Sequence, residues 1–377
     1  MFIINKACLE LDMSAPSRMT GSDHHLSRRN FLKLGSLGMI GALFPSIHNL
    51  ERFFEHIGAA QLPLMLDTPR LTPELQGRVV EDQIEIFERP SFGSSRVMFH
   101  WKDSVLPITD VTIGDEEPPF NRVWYRVGSE GFAHSGVVQP VQTRTNPIIS
   151  QVPEGGALAE VTVPFTDARW GPGKNELVAY RYYYETTHWV IQVVYDNQGE
   201  PWYTVLDDKW ELLFYVPASH MYILPDEEFT PLSPEVPPPL KRIEVRLDPQ
   251  VMIAYEMEKP VFMARVATGA KFRDGDFSTQ PGRYLTFHKR SSRHMAAGNL
   301  AANGYDLPGV PWISYITESG ISFHGTYWHN NFGRPRSHGC INLTPRAARW
   351  VYRWTQPYVP PNEQKSYQDF GTQVDVL

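Results

Sequence analysis

The residues best suited to chemistry lie in one short segment, Ser337-His338-Gly339-Cys340, near the C-terminal end of the chain. A cysteine attacks as its thiolate, and a neighbouring histidine can lower the thiol pKa from its usual value of about 8.5. In extended backbone, His338 and Cys340 lie on the same face, two positions apart. His324, thirteen residues before Ser337, offers a second base. This combination predicts nucleophilic catalysis by Cys340.

The neighbours of the cysteine suit acyl transfer. Gly339 lets a substrate approach the backbone closely, and we expect the amide groups of Gly339 and Cys340 to hold an oxyanion. The Ser337 hydroxyl either supports the site or makes an ordinary turn hydrogen bond. The spacing alone does not decide whether His324 or His338 takes the thiol proton.

The chain has only two cysteines, Cys8 and Cys340, on opposite sides of an apparent export signal. The mature protein would therefore hold one thiol. A lone cysteine in an oxidising compartment cannot form an internal disulfide, which favours a use for its reactivity. The alternative is a buried free cysteine that only packs.

Residues 1–60 are interpreted as an export signal and linker. Ser27-Arg28-Arg29-Asn30-Phe31-Leu32-Lys33 precedes an apolar run at 34–44, which matches the twin-arginine pattern. A membrane-spanning helix needs roughly 20 apolar residues, so we expect export to the cell envelope, with no stable membrane span after signal removal. Gly58-Ala59-Ala60 is a candidate cleavage point.

Composition predicts a mainly β protein of two or three domains. Domains usually contain roughly 100–200 residues, and this chain has 377. Its 32 prolines and 12% aromatic residues favour short strands and turns over long helices. The net charge of −7 leaves no basic stripe to neutralise phosphates, so no nucleic-acid partner is expected.

Two stretches before the C-terminal region have the short apolar runs and turns of small β-barrels. Residues 77–140 contain Trp124-Tyr125-Arg126-Val127, which resembles the bacterial SH3-like modules attached to wall enzymes. Trp202-Tyr203 follows seventy-eight positions later. We therefore expect a second, divergent SH3-like module at 150–226, with chance coincidence of the two Trp-Tyr pairs as the alternative.

The proline-rich residues 227–240 predict an extended interdomain spacer, because proline cannot donate to a sheet ladder. A further β domain follows at 241–377, where strand-like runs alternate with turns. Its most persuasive helix begins at Thr344-Pro345, a capping residue followed by a proline in the first helical position.

From Lys241 to Leu377 the sequence closely resembles the L,D-transpeptidase family of YkuD type. The family signature is a distant histidine followed by Ser/Thr-His-Gly-Cys, an apolar residue, and Asn or Arg; Asn342 occupies that last position. Two departures are the inserted Gln280 and Arg346, where aspartate is common. The other shared landmarks are Ala267-Thr268-Gly269, Thr279-Gln280-Pro281-Gly282, Val310-Pro311-Trp312, Leu343-Thr344-Pro345 and Gly371-Thr372-Gln373-Val374.

The resemblance implies a β-sandwich catalytic domain with a few short helices. Cys340 would be the nucleophile and His324 its base, oriented by a backbone carbonyl that we expect to be that of Gly325. His338 would then shape the pocket. Trp312, Tyr315 and His329 are candidate pocket or supporting residues, although Trp312 and Tyr315 could equally belong to the core.

The implied reaction is crosslinking of peptidoglycan. The cysteine attacks a tetrapeptide stem, D-alanine leaves, and the amine of a second stem resolves the thioester. Tetrapeptide stems are thus the expected donor and acceptor, carbapenem-type β-lactams the expected covalent inhibitors, and no cofactor is needed. An L,D-carboxypeptidase or a protein-anchoring transferase would use the same site. A non-catalytic wall-binding protein is the remote alternative, and the upstream modules would bind wall polymer or act as spacers.

Two further expectations concern polar residues near the site. The segment 283–307 resembles a lid, and its basic residues, such as Arg290 and Arg293, would meet stem-peptide carboxylates or belong to a solvated loop. His324, His329, His338 and Cys340 could also be counted as four zinc ligands. Because they lack paired Cys-x-x-Cys or His-x-x-x-His spacing, we predict no metal.

Overall fold

The computed structural model describes residues 75–115, 117–273, 275–298 and 304–377, and these residues form a mainly β protein, as the sequence predicts. Their strands belong to four large sheets and one two-stranded ribbon. The twin-arginine segment, its cleavage point and Cys8 lie outside the described residues. Among the described residues, no helix has the length and apolar character required to cross a bilayer.

The first β unit, residues 76–141, is one antiparallel sheet with strand order β3-β2-β6-β5-β4-β1-β7. Alternation along β2 shows why it forms, because Ile84 and Ile86 point into the core while Gln83 and Glu85 face solvent. The strands are β1 (Gln76–Val79), β2 (Gln83–Phe87), β3 (Arg96–Trp101), β4 (Val105–Ile113), β5 (Val123–Val127), β6 (Gly131–His134) and β7 (Val138–Val141).

The second β unit, residues 157–223, repeats this topology. Its order, β10-β9-β13-β12-β11-β8-β14, is that of the first unit with every strand number raised by seven. Trp124 and Trp202 occupy the second position of the equivalent strands β5 and β12, and both are buried. The strands are β8 (Ala157–Val161), β9 (Phe165–Arg169), β10 (Val178–Tyr183), β11 (Thr187–Tyr195), β12 (Pro201–Leu206), β13 (Leu213–Pro217) and β14 (Met221–Ile223).

A short 3-10 turn precedes the last strand in both units, at Ser135–Val137 and at Ala218–His220. The shared strand order and this shared turn are what a duplicated module would produce. The SH3-like identity of the two units stays a prediction.

Two five-stranded sheets form the C-terminal region, in the orders β17-β16-β15-β26-β20 and β24-β23-β22-β21-β25. They share one core with the helix, to which Ile243, Phe323 and Val351 contribute. The elements are β15 (Lys241–Arg246), β16 (Val251–Glu256), β17 (Lys259–Arg265), β18 (Lys271–Phe272), β19 (Gly275–Asp276), β20 (Gly282–Leu285), β21 (His288–Ala297), β22 (Tyr305–Tyr315), β23 (Ser322–Gly325), β24 (Ile341–Leu343), α1 (Pro345–Trp354), β25 (Lys365–Tyr367) and β26 (Gln373–Val376).

Helix α1 begins where the sequence predicts. The Thr344 hydroxyl accepts a hydrogen bond from the Ala347 N–H at 3.2 Å, and Pro345 fills the first helical position, where no N–H is needed. Ala348 and Val351 are fully buried, so the helix packs its apolar face against the core.

Two lysines bind the carbonyls at the end of α1. Lys289 is fully buried, and its Nζ donates to the carbonyls of Tyr352 and Thr355. Lys241 donates to the Trp354 carbonyl at 3.4 Å. Lysine donors at a helix C-terminus satisfy the carbonyls that have no partner within the helix.

The proline-rich segment 227–240 packs along α1 and does not stand free of the fold as a spacer would. Phe229 is only 3% exposed and belongs to the same core as Trp312. Glu228 pairs with Arg349 at 2.5 Å, and the Leu232 N–H donates to a helix carbonyl. An apolar side chain inside a proline-rich stretch anchors it, because its burial offsets the cost of ordering the chain.

Candidate active site

Two adjacent parallel strands bring the base and the nucleophile together. Strand β23 pairs with β24 in the register His324 with Asn342, so Cys340, just before β24, lies beside Ser322. The Ser322 hydroxyl is 3.7 Å from the Cys340 sulfur. Because side chains alternate along a strand, Ser322 and His324 share one face, and that face meets the thiol.

The surroundings of Cys340 favour its thiolate. The residue is half-buried, and burial by itself raises the thiol pKa. A hydrogen bond and the charge of His324, together with hydrogen bonds from Ser322, outweigh that effect, so the net pKa lies below the ordinary thiol value. The site therefore stabilises the reactive form of the sulfur.

The tautomer of His324 follows from its backbone contact. The ring is 3% exposed, and Nδ1 lies 3.0 Å from the carbonyl oxygen of Gly325. A carbonyl can only accept, so Nδ1 carries the proton and Nε2 keeps its lone pair. That lone pair can take a proton from the thiol.

A tight turn holds Cys340. The Ser337 hydroxyl accepts from the Gly339 N–H at 3.2 Å and donates to the Cys340 carbonyl at 2.5 Å. Gly339 has a φ of +114°, which side chains of L-residues rarely allow. Thr279 donates to the Gly339 carbonyl and accepts from the Gly269 N–H, both at 2.8 Å.

This turn corrects two expectations. The Gly339 N–H is already bonded to Ser337, so it is not free to hold an oxyanion together with the Cys340 N–H. Within the described part of the chain, the Cys340 N–H has no acceptor. The backbone at Gly339 is also not extended, so His338 and Cys340 do not share a face. The Ser337 hydroxyl makes its turn hydrogen bonds to Gly339 and Cys340 themselves, so the two roles considered for it coincide.

His338 belongs to an aromatic cluster beside the nucleophile turn. It is exposed and stacks on Phe272 with ring centroids 4.7 Å apart, while Phe277 meets it edge-on at 4.8 Å. Tyr305 lies 6.0 Å away. The interactions that lower the Cys340 pKa come from His324 and Ser322, not from His338.

Asn342 and His329 form a buried pair behind the site. The Asn342 side-chain amide lies 3.0 Å from His329 Nε2, and the Asn331 N–H donates to Nδ1. Burial lowers the pKa of His329 well below its usual value, so the ring is neutral. His329 therefore braces the strand after Cys340 and does not line a substrate pocket.

Of the two aromatic pocket candidates, only Tyr315 lies near the thiol. Trp312 is 1% exposed and packs between Tyr352 and Phe229, so it belongs to the core. Tyr315 is half-buried and stacks on His288 at 4.8 Å. Burial is the main cause that raises the Tyr315 pKa, and the charge of Cys340 adds to it.

The sequence interpretation missed two residues at the site, Ser322 and Tyr305. Ser322 had a usable signal, because it precedes His324 by two positions in a segment that reads as a strand. Burial first, and then the charge of Cys340, raise the pKa of Tyr305. No local pattern marks Tyr305, which lies at the start of β22 and pairs with Ala297 of β21.

The four possible zinc ligands do not converge. His329 faces Asn342, and His338 faces Phe272. In the described ranges, no group of three or more histidine, cysteine, aspartate or glutamate side chains is arranged to hold a metal ion.

The basic residues Lys289, Arg290, Arg293 and His294 have partners within the protein, and they lie on strand β21 and not in a solvated loop. Asp208 of the second β unit accepts from Arg290 at 2.9 Å and from Arg293 at 2.6 Å. His294 lies between Asp207, at 2.6 Å, and Asp306. These groups are therefore not available to stem-peptide carboxylates.

Comparison with known proteins identifies the class of the C-terminal region. Residues 240–376 match the YkuD family model, the L,D-transpeptidase catalytic domain, so this part of the chain carries that domain. The match covers the strands β15 to β26 and the whole site. No curated protein sequence matches the chain.

Solved L,D-transpeptidases match the same part of the chain. One from Mycobacterium smegmatis is 21% identical over 37% of this chain and 58% of its own, with a TM-score of 0.30. A mutant from Enterococcus faecium is 22% identical over 36% and 49%, with a TM-score of 0.29. L,D-transpeptidase 3 from Mycobacterium tuberculosis, in complex with a faropenem-derived adduct, is 19% identical over 36% and 60%, with a TM-score of 0.29. The chain spans about half to three-fifths of the length of these structures.

Proposed function

We propose that this protein is an exported L,D-transpeptidase that crosslinks peptidoglycan stem peptides through a thioester on Cys340. The observation that carries the proposal is the contact of Cys340 with His324 and Ser322 inside a YkuD domain, with His324 held in the tautomer of a base. The proposed partners are tetrapeptide stems, as donor and as acceptor. The proposed location is the cell envelope, reached through the twin-arginine pathway.

Acylation begins with transfer of the thiol proton to Nε2 of His324. The thiolate attacks the carbonyl carbon of the amide that precedes the terminal D-alanine, and a carbon–sulfur bond forms. The carbon–nitrogen bond then breaks, and the imidazolium returns its proton to the leaving amine of D-alanine. The Cys340 N–H, which has no protein acceptor in the described ranges, is the amide suited to the oxyanion.

In deacylation, the amine of a second stem is the nucleophile and the Cys340 sulfur is the leaving group. The amine of a second stem attacks the thioester carbonyl, His324 takes the proton from that amine, and the carbon–sulfur bond breaks. The products are a crosslinked pair of stems and a regenerated thiol. These steps require only groups of this chain and its two substrates.

Other acceptors would give related activities. Water in place of the amine gives an L,D-carboxypeptidase, and a protein amine gives a protein-anchoring transferase. A non-catalytic wall-binding protein would not need a lowered thiol pKa beside a correctly oriented histidine, so the site argues against it. Carbapenem-type β-lactams should acylate Cys340, in keeping with the faropenem-derived adduct in the Mycobacterium tuberculosis structure.

We assign the domains as an export signal and linker at 1–60, SH3-like modules at 77–140 and 150–226, a proline-rich connection at 227–240 and the catalytic domain at 241–377. The identical strand orders of the two β units support the duplication. The family match at 240–376 supports the last boundary.

Intact-mass spectrometry tests the function directly. The protein is incubated with a carbapenem or with a tetrapeptide donor, as wild type, Cys340→Ala and His324→Ala. His100→Ala is the matched control, because His100 pairs with Glu130 on the surface of the first β unit. We expect adducts on wild type and control only. An adduct of equal yield on Cys340→Ala would refute the assignment.

A further inference from the structure

The segment that joins the base to the nucleophile is fastened to the first β unit. Residues 325–339 separate His324 from Cys340, and after β23 no strand or helix of three or more residues interrupts their path. A segment of this kind holds its ends in register only if other parts of the protein support it. The contacts of 327–336 with the first β unit supply that support.

Asn330 forms the central attachment. Its side-chain amide donates to the carbonyls of Ser135 and Val138, each at 3.0 Å. Its backbone N–H donates to the Gly136 carbonyl at 3.3 Å. One residue thus binds two carbonyls of the 3-10 turn and the carbonyl of Val138, the first residue of β7, and both the position and the direction of the segment are defined there.

Arg336 forms the attachment nearest the nucleophile. It precedes Ser337, and its guanidinium pairs with Glu81 of the first β unit at 2.5 Å. The Arg336 N–H donates to the Thr268 carbonyl at 2.7 Å, so its backbone is tied to the catalytic domain at the same point. The side chains are 26% and 38% exposed, which makes the pair a modest contributor to overall stability.

A third attachment lies near His324. Arg78 of β1 is 1% exposed and donates to the Tyr327 carbonyl. Asp103 and Gln139, both in the first β unit, hold the guanidinium in place. The segment is therefore bound near its beginning, at its middle and near its end.

We propose that Asn330 and the Arg336–Glu81 pair are positioning residues, through which the first β unit sets the placement of Cys340 against His324. The catalytic meaning of this placement rests on the proposed function. A unit that only binds wall polymer or acts as a spacer needs no contact with this segment. A misplacement of about 1 Å in a reacting group can cost roughly a hundredfold in rate, so small shifts here have large effects.

The test uses the full chain and two reactions of Cys340. The first is alkylation by iodoacetamide over a range of pH, followed at the Cys340 peptide by mass spectrometry, which reports the thiol pKa. The second is acylation by a carbapenem, which reports the rate and the affinity separately. The variants are Asn330→Ala, Glu81→Gln, and the charge exchange of Glu81→Arg with Arg336→Glu. Glu85→Gln is the matched control, because Glu85 forms an exposed pair with Arg96 of the neighbouring strand β3, within the same unit.

We expect Asn330→Ala to slow acylation roughly tenfold to a hundredfold, and Glu81→Gln about threefold to tenfold. In both, the pH midpoint of alkylation should rise toward that of a free thiol. The charge exchange should return both readouts to within about twofold of wild type, and Glu85→Gln should leave them unchanged. The thiol pKa depends on the placement of His324 against Cys340, so a residue that only stabilises the fold would not change it.

Folded variants with the wild-type alkylation profile and acylation rate would overturn the proposal. If Asn330→Ala does not fold, Glu81→Gln and the charge exchange decide the outcome. If Glu81→Gln is impaired and the charge exchange does not restore acylation and the alkylation profile, the proposal is contradicted. A wild-type protein that alkylates at low pH but is never acylated by carbapenem or tetrapeptide would refute the proposed function alone. The alkylation profiles would still test the positioning.

Discussion

Replacement of Thr279 by valine should damage both the stability of the fold and the reactivity of Cys340. The Thr279 hydroxyl joins two parts of the active-site turn, because it accepts from the Gly269 N–H and donates to the Gly339 carbonyl, both at 2.8 Å. Thr279 is 2% exposed, so water cannot replace the hydroxyl readily. Valine has nearly the same shape and removes only the hydrogen bonds.

The expected loss of stability follows from the two groups that lose their partner, the Gly269 N–H and the Gly339 carbonyl. A buried polar group without a partner costs about 1–3 kcal/mol. The added methyl group of valine recovers part of this, so we expect the free energy of unfolding to fall by about 2–4 kcal/mol for the pair. The loosened Gly339 carbonyl should also slow acylation of Cys340 by about tenfold.

Chemical denaturation and carbapenem acylation measure the two effects. Thr109→Val is the matched control, because Thr109 is exposed on β4 and its hydroxyl makes only long contacts of 3.4 Å. We expect the control to lie within about 0.5 kcal/mol of wild type. A Thr279→Val protein as stable and as reactive as this control would show that the hydroxyl does not hold the turn.

Three other predictions concern ionisable side chains, Cys340, Lys289 and His294. The rate of Cys340 alkylation should rise with pH through a midpoint below that of an unstructured cysteine peptide measured alongside, and a midpoint at or above that of the peptide would contradict the lowered pKa. Lys289→Ala should reduce the free energy of unfolding by about 2–4 kcal/mol, measured by denaturation, because the Tyr352 carbonyl loses its donor and a cavity forms. Burial lowers the His294 pKa. The hydrogen bonds and charges of Asp207 and Asp306 outweigh this effect, so the net pKa is raised. The His294 contribution should therefore be complete below the usual histidine pKa of about 6.5 and be lost as pH rises through the raised value. The stability difference between wild type and His294→Gln, measured from acid to alkaline pH, should shrink accordingly, and a difference that grows with pH would contradict the assignment.

Short-range patterns were enough to predict the YkuD catalytic domain and part of the fold. The prediction of nucleophilic catalysis rests on residue types and their order, in the segment from Ser337 to Cys340 and at the distant His324. The start of α1 is likewise local, since the cap and the proline act within one turn of helix. The mainly β character follows from alternation along single strands, such as the buried Ile84 and Ile86 of β2.

Partners distant in sequence decided the rest. With a φ of +114° at Gly339, the His338 ring stacks on Phe272 in an aromatic cluster. The local sequence, a histidine two positions before a cysteine, does not predict this backbone conformation. Arg290 was expected to meet substrate or solvent, but the fold places it against Asp208, eighty-two positions earlier. Residue order therefore predicted which groups could react, whereas the tertiary structure decided which amide is free, which charges are neutralised and what supports the turn that carries Cys340. The physical reason is that hydrogen bonds and ion pairs depend on distances in space, which separation along a chain does not specify.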